Sequence, residues 1–287
     1  MATRAQAYPE NAAGSFFVDR SCIDCGTCYE FAPEVFEDAG GHSRVSLQPG
    51  GDRARLRASM ALLACPTASI GTEDKSAMAE AARAFPDPIE DEVHFCGYTS
   101  ESSFGAWSYF IRRPEGNVLM DSPRAAQPLL KRLDGMGGVA TMVLSHQDDV
   151  ADHAAFHARF ACERVMHTGD RMQGMDRYLD GDEPVALAED LLLIPTPGHT
   201  AGSMCLLYRE KFLFTGDHLW WNPDRKMLSA SRNYNWHSWP KQLASLEKLL
   251  AFNFQWVLPG HGSSLRTESP EAMKAELERA LAYLRKL

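Results

Sequence analysis

The chain changes its pattern of apolar and polar positions near Val93. From there onward, short apolar runs bounded by turn formers predict strands over 108–112, 117–121, 139–144, 165–167, 184–188, 191–194, 204–208, 212–215 and 255–258. Apolar residues at three- and four-residue spacing predict helices over 124–133, 152–160 and 241–252, and a closing helix over 271–286 aligns Met273, Leu277, Leu281 and Leu284. Strands set among helices in this way predict an α/β architecture with sheets inside and helices outside. Upstream, the spacing predicts a helix over 53–63 with Leu56, Met60 and Leu63 on one face. The alanine-rich polar stretch 73–84 reads as a helical spacer, and Phe85-Pro-Asp-Pro-Ile89 stops it with two prolines. The expected organisation is a small domain over 1–75, a linker over 76–88 and a second domain over 89–287.

Composition narrows the function classes. A net charge of −9 over 287 residues, with a pI near 5.6 and no basic run, argues against nucleic acid as a partner. No apolar run approaches the ~20 residues needed to span a bilayer, and the N-terminus lacks a secretory pattern, so a soluble cytoplasmic protein is expected. Seven cysteines in such a chain point to metal or cluster ligation rather than to disulfides.

The cysteine spacing carries the first chemistry. Cys22-Ile-Asp-Cys25-Gly-Thr-Cys28 is followed much later by Cys65-Pro66. Two-residue spacers let successive thiolates wrap one metal centre, and four thiolates suit either a [4Fe-4S] cluster or tetrahedral zinc. The arrangement resembles a bacterial-type ferredoxin, with the segment 29–37 matching its first helix and the stretch after it, and Cys65-Pro-Thr-Ala-Ser-Ile70 its last strand. That resemblance implies a small α+β domain with one [4Fe-4S] cluster on Cys22, Cys25, Cys28 and Cys65.

The densest site signal is Leu144-Ser-His-Gln-Asp-Asp-Val-Ala-Asp-His153, on a predicted strand-to-helix turn. Neutral imidazole with carboxylate suits zinc, iron or manganese. The competing reading is an acidic helix start with Asp149 or Asp152 as N-cap. Three further Gly-containing turns favour metal: Pro197-Gly-His-Thr-Ala-Gly-Ser203, Leu213-Phe-Thr-Gly-Asp217 and Val257-Leu-Pro-Gly-His-Gly262. Each sets one His or Asp just past an apolar run. This ordered set, over about 89–265, resembles the metallo-β-lactamase fold family of dinuclear metallohydrolases.

The resemblance implies a four-layer αββα sandwich with two divalent ions, zinc, iron or manganese. Position by position it implies one ion on His146, Asp148 and His199 with Asp217 bridging. The second takes Asp152, His153, Asp217 and His261, and Asp152 also orients the nucleophile. The family's His-x-His-x-Asp-His departs here: its second histidine is aspartate and two residues are inserted, so Asp149 competes with Asp148.

The turn-rich segment from Leu219 to Trp239 holds four tryptophans and reads as a loop over the cleft, with Arg232, Tyr234 and His237 as candidate substrate contacts. Most of the tryptophans are expected to seal an interface. His157 and His218 read as packed or outer residues, His42, His94 and His167 carry no motif, and Cys96, Cys162 and Cys205 read as core. Two activities compete. One is metal-dependent hydrolysis of a small-molecule ester, thioester or lactone; the other is di-iron redox chemistry on oxygen or nitric oxide, fed by the ferredoxin-like domain and a redox partner protein. A cluster that senses redox state and gates the second domain is a third possibility.

Overall fold

The computed structural model describes all 287 residues, and the chain falls into two compact units: Met1–Ala140 with Ala151–Cys162, and Thr141–Val150 with Glu163–Leu287. No helix is long and apolar enough to cross a membrane.

The first unit runs β1 (Phe17–Val18), α1 (Thr27–Phe31), β2 (Phe36–Asp38), β3 (Ser43–Val45), α2 (Asp52–Ala64), β4 (Ile70–Gly71), α3 (Met78–Ala84), β5 (Asp87–Glu90), β6 (Val93–Phe95), β7 (Tyr109–Ile111), β8 (Val118–Met120), α4 (Gln127–Gly135) and α5 (His153–Phe160). β1 pairs antiparallel with β4, and β2 with β3, which gives the cysteine-bearing segment two short ribbons. β5 to β8 form an antiparallel meander, with strands β7 and β8 wholly buried. Phe95 stacks on Trp107 at 4.0 Å, and Phe31 and Phe85 close the aromatic group.

Two sequence expectations change in this unit, the buried face of α2 and the start of α4. The buried stripe of α2 is Ala58, Ala61 and Ala64 with Met60, while Leu56 and Leu63 are half-buried. Small side chains let α2 approach its neighbours closely, which outweighs the larger apolar area of the leucines. The span 76–88 holds α3 and the start of β5, whose register with β6 pairs Asp87 with Phe95. In addition, α4 begins at Gln127 rather than at Arg124, because Ala126 is extended (ψ 133°) and Pro128 suits the first turn.

The second unit runs β9 (Thr141–Val143), β10 (Glu163–His167), β11 (Arg177–Leu179), β12 (Val185–Ala188), β13 (Leu191–Pro195), β14 (Met204–Tyr208), β15 (Phe212–Gly216), β16 (Trp220–Asn222), β17 (Met227–Ser229), α6 (Trp239–Lys248), β18 (Trp256–Pro259), β19 (Leu265–Arg266) and α7 (Pro270–Leu284). β9, β10 and β11 are parallel neighbours. A six-stranded sheet follows the order β12-β13-β14-β15-β18-β19. It is antiparallel except for β15 and β18, whose parallel pairing needs a crossover, supplied by the segment carrying α6. Ser238 and Ser269 cap α6 and α7 through side-chain oxygens that accept the N–H groups of Lys241 and Ala272.

As the periodicity predicts, Met273, Leu277, Leu281 and Leu284 of α7 are buried, and they pack into one core with Leu213, Val257, Leu246 and Phe254. At roughly 1.5–3 kcal/mol for each fully buried large apolar side chain, this face is the main force closing the helices on the sheet. The tryptophan-rich segment is not all loop: β16 and β17 form a hairpin within it.

Candidate metal centre

β13, β15 and β18 run in one direction, and His199, Asp217 and His261 follow their carboxyl ends through glycine-containing turns. The three side chains are thereby delivered to one edge of the sheet. The turn after β9 supplies His146, Asp148 and Asp149.

His199 is held in one tautomer. Its Nδ1 lies 2.6 Å from the carbonyl of Tyr234, and a carbonyl only accepts, so Nδ1 carries the proton and Nε2 presents a lone pair. His146 Nδ1 lies 2.9 Å from Ser145 Oγ. Both Nε2 atoms are buried without a hydrogen-bond partner. They face the same two carboxylates: His146 Nε2 is 3.8 Å from Asp148 Oδ2 and 3.8 Å from Asp217 Oδ2, and His199 Nε2 is 3.6 Å and 3.9 Å from the same atoms. A tetrahedral ion with bonds of about 2.1 Å spaces its donors about 3.4 Å apart, and the ligand atoms fall into two overlapping sets, His146, Asp148 and His199 in one and His146, Asp149 and Asp217 in the other, each with its atoms within 4.8 Å of one another. Two nitrogens and two oxygens suit zinc, iron or manganese.

Charge follows the same logic. Burial pulls the His146 imidazole below its ordinary pKa against the attraction of Asp217. At His199 burial also works downward, but Asp148 and Asp217 together raise it. Burial alone would raise Asp217, yet His261, His146 and His199 hold its carboxyl well below the usual carboxylate range. His261 Nδ1 lies 2.7 Å from Asp217 Oδ1. Asp217 is thus the anion toward which all three imidazoles converge.

Geometry separates the two adjacent aspartates. Asp148 Oδ2 faces both Nε2 atoms, whereas Asp149, almost fully buried, places Oδ2 4.0 Å from His146 Nδ1. Gly260 packs on this side: a Cβ there would lie 2.8 Å from Asp149 Oδ2 and 2.9 Å from Asp217 Oδ1. Asp152 and His153 belong to the first unit, where Asp152 precedes α5 and its Oδ2 accepts the Ala125 N–H at 2.8 Å.

Sequence reasoning missed Asp170. This buried carboxylate accepts the Gln147 N–H at 2.9 Å and the Thr200 hydroxyl at 3.0 Å through Oδ2, and the Gly202 N–H at 2.6 Å through Oδ1. It ties the turn carrying His146 and Asp148 to the turn carrying His199. A Cβ at Gly202 would lie 2.5 Å from the Asp170 backbone nitrogen, so that close approach needs glycine. The signal was present: Thr168-Gly-Asp170 repeats the Thr-Gly-Asp of 215–217 at the end of another strand. Asp170→Asn leaves one buried N–H or hydroxyl facing an amide donor. Metal affinity, read by competition with a chelator, is expected to fall by about 10–100-fold with the fold retained; wild-type affinity would deny Asp170 this positioning role.

Of the candidate substrate contacts, Arg232 is exposed and its Nη1 donates to the Leu287 oxygen. Tyr234 serves the site through its carbonyl, and His237 is exposed. The discounted histidines are mostly engaged: His157 Nδ1 donates to the Cys162 carbonyl, His167 accepts the Gly169 N–H, and His42 stacks on Tyr8 at 3.7 Å. His218 is buried with neither ring nitrogen partnered, and burial pushes its pKa down to about 3. Cys96, Cys162 and Cys205 are buried core residues, as read from sequence.

In the first unit, Cys22, Cys25, Cys28 and Cys65 line one pocket with Ile23, Ser43, Pro66 and Ile70. The chain turns through left-handed Asp24 (φ 59°) and Gly26 (φ 83°). Backbone N–H groups point at sulfur: those of Asp24 and Ser43 reach Cys22 Sγ at 3.5 and 3.4 Å, and that of Ser69 reaches Cys65 Sγ at 3.3 Å. Such donors stabilise negative charge on cluster sulfurs. Gly105 (φ +85°) packs over the pocket, because a Cβ there would come within 2.8 Å of Cys25 Sγ. Burial pushes the Cys25 thiol up to about 11 and Cys28 higher still, so a cationic group is needed to hold these sulfurs as thiolates. The donor set therefore fits a cluster.

Fold and sites together define a metallo-β-lactamase-fold protein with an N-terminal ferredoxin-like segment. Residues 18–72 match the family described as the 4Fe-4S single cluster domain of Ferredoxin I. The chain is 29% identical over 152 residues to a hydroxyacylglutathione hydrolase of Rhodospirillum rubrum, covering 50% of this chain and 59% of that protein. It is 29% identical over 182 residues to one of Rhizobium etli, covering 60% and 68%. The chain thus spans between about three fifths and two thirds of the length of these curated relatives. Among solved structures, the BLEG-1 B3 metallo-β-lactamase has a TM-score of 0.51 at 19% identity and covers 67% of this chain and 99% of its own. VMB-1 has a TM-score of 0.51 at 14% identity and covers 67% and 95%.

Proposed function

We propose that the chain is a metal-dependent hydrolase acting on a small acyl substrate of the thioester or ester class. The observation that carries this reading is the pair of buried, unpartnered Nε2 atoms of His146 and His199 set 3.6–3.9 Å from the carboxylates of Asp148 and Asp217. The similarity to hydroxyacylglutathione hydrolases supports the acyl-on-thiol class. A divalent ion held by these four residues supplies Lewis acidity toward an acyl carbonyl and a water molecule.

The chain's own residues do the rest. The Tyr234 carbonyl holds the His199 Nε2 lone pair toward the centre before anything binds, and Ser145 Oγ orients the His146 ring through Nδ1. Asp217 stays ionised beside His261, whose Nδ1–H it accepts. Asp170 keeps the two donor turns in register. The family pattern also implies Asp152, as the residue that would orient the nucleophile, and His153 in its ligand set.

A second reading rests on the thiol-lined pocket in the same chain, since a hydrolase has no evident need of an electron carrier. In it, iron occupies the histidine–aspartate site and the [4Fe-4S] cluster delivers electrons for chemistry on oxygen or nitric oxide. Metal analysis of anaerobically purified protein, with iron sorted by Mössbauer spectroscopy, separates the two. About four cluster irons plus zinc, with turnover of thioesters, is the expected result. Additional iron bound by nitrogen and oxygen, without thioester turnover, would transfer the assignment to redox chemistry.

A further inference from the structure

We propose that Trp236, with Tyr234, forms the wall that receives an apolar, preferably aromatic, acyl group beside the histidine–aspartate centre. Both side chains are large and exposed, at 62% and 66%. Their rings meet edge to face at 6.3 Å, and the Trp236 ring lies 6.3 Å from that of His199.

This exposure is built in, because the segment cannot fold inward without releasing a donor residue. The Tyr234 carbonyl accepts the His199 Nδ1–H at 2.6 Å, and the Trp236 N–H donates to the His199 carbonyl at 2.8 Å. Asn235 Nδ2 and the Ser238 N–H both donate to the Gly198 carbonyl, at 2.9 and 3.0 Å. Gly198 is itself pinned: a Cβ there would lie 2.4 Å from Gln242 Cα in α6. The aromatic pair is therefore rigidly attached to the turn that aims His199 at the centre.

The neighbouring tryptophans behave differently, which sets Trp236 apart. Trp220 and Trp239 pack against the apolar core, and Trp221 is half-buried in β16. An exposed aromatic pair next to a catalytic centre is the usual signature of a binding surface for an apolar group. Arg232, the sole lysine or arginine of 231–239, donates one N–H to the Leu287 oxygen, and the surface that the pair presents is aromatic ring. Two exposed rings of this kind favour a flat, apolar acyl group, which stacks or packs edge to face on them. The identity of this occupant rests on the hydrolase reading; the wall itself rests on the geometry.

The test uses full-length, metal-loaded protein and two metal-directed probes with one head group, acetohydroxamate and benzohydroxamate, titrated by calorimetry. The phenyl probe is expected to bind about tenfold more tightly than the methyl probe. That preference should fall to about one- to twofold in Trp236→Ala and return in Trp236→Phe, with metal per chain unchanged. A preference that survives Trp236→Ala overturns the proposal, as does Tyr234→Ala and Trp236→Ala both retaining it. Sedimentation of the same variants adds a second criterion: conversion of an oligomer to monomers with the preference intact would make the pair a contact between copies of the chain. Hydrolysis of acetyl and phenylacetyl thioesters is measured in parallel. If wild type cleaves neither while the probe preference tracks Trp236, the hydrolase reading fails and the wall stands.

Discussion

Asp217→Asn is expected to abolish turnover and to remove the bound divalent ion, although the substitution changes neither size nor shape. Asp217 lies within 4 Å of three imidazoles, at 3.8 Å from His146, 3.9 Å from His199 and 2.7 Å from His261. Asparagine keeps one acceptor oxygen but removes the charge that these groups and a divalent ion all require. Loss of an outer residue around a metal costs about 10–100-fold, so loss of this ligand should lower kcat/KM by more than about 100-fold. His199→Ala should match it, because it removes the Nε2 lone pair that the Tyr234 carbonyl holds in place. Metal analysis and thioester turnover on both variants decide the matter, and full activity with full metal content in either would sink the assignment.

Cys65→Ala is expected to remove the cluster and destabilise the first unit. The three remaining cysteines cannot complete the site, so iron and acid-labile sulfide should each fall by about four per chain. The pocket that the four cysteines line would then hold buried thiols in place of ligated sulfurs. Folding free energy supplied by a bound metal group reaches about 10 kcal/mol in small metal domains. Even about 3 kcal/mol of it, at roughly 2–4 °C per kcal/mol, lowers the melting temperature by about ten degrees. A melting curve and iron content equal to wild type would remove Cys65 from the ligand set. Thioester turnover in this variant has a separate meaning: retained turnover makes the cluster an accessory, and lost turnover with the divalent ion still bound makes it a gate.

Residue order alone specified the chemistry-bearing groups and their succession along the chain. Cys-x2-Cys-x2-Cys with a distant Cys-Pro specifies sulfur ligation because spacers that short admit few backbone paths. The turns ending at His199, Asp217 and His261 were legible because each joins an apolar strand to a glycine, a local pattern that needs no partner to be recognised. The apolar face of α7 was legible for the same reason: its period belongs to one helix, and Met273, Leu277, Leu281 and Leu284 are all buried.

Packing in three dimensions settled what local pattern cannot carry. Asp148 and Asp149 are adjacent and chemically identical, and only the direction of the turn after β9 sets one against two Nε2 atoms and the other against Nδ1. Asp170 acts on Gln147, Thr200 and Gly202 from two other turns, and such long-range convergence leaves no periodic trace. In α2 the alanines rather than the leucines became the buried stripe, because the space between packed elements, not hydrophobicity alone, chose the face. Arg232 meets the Leu287 oxygen, a partner 55 residues away in the chain. In each case the deciding term is a distance across the fold, which the order of residues constrains but does not state.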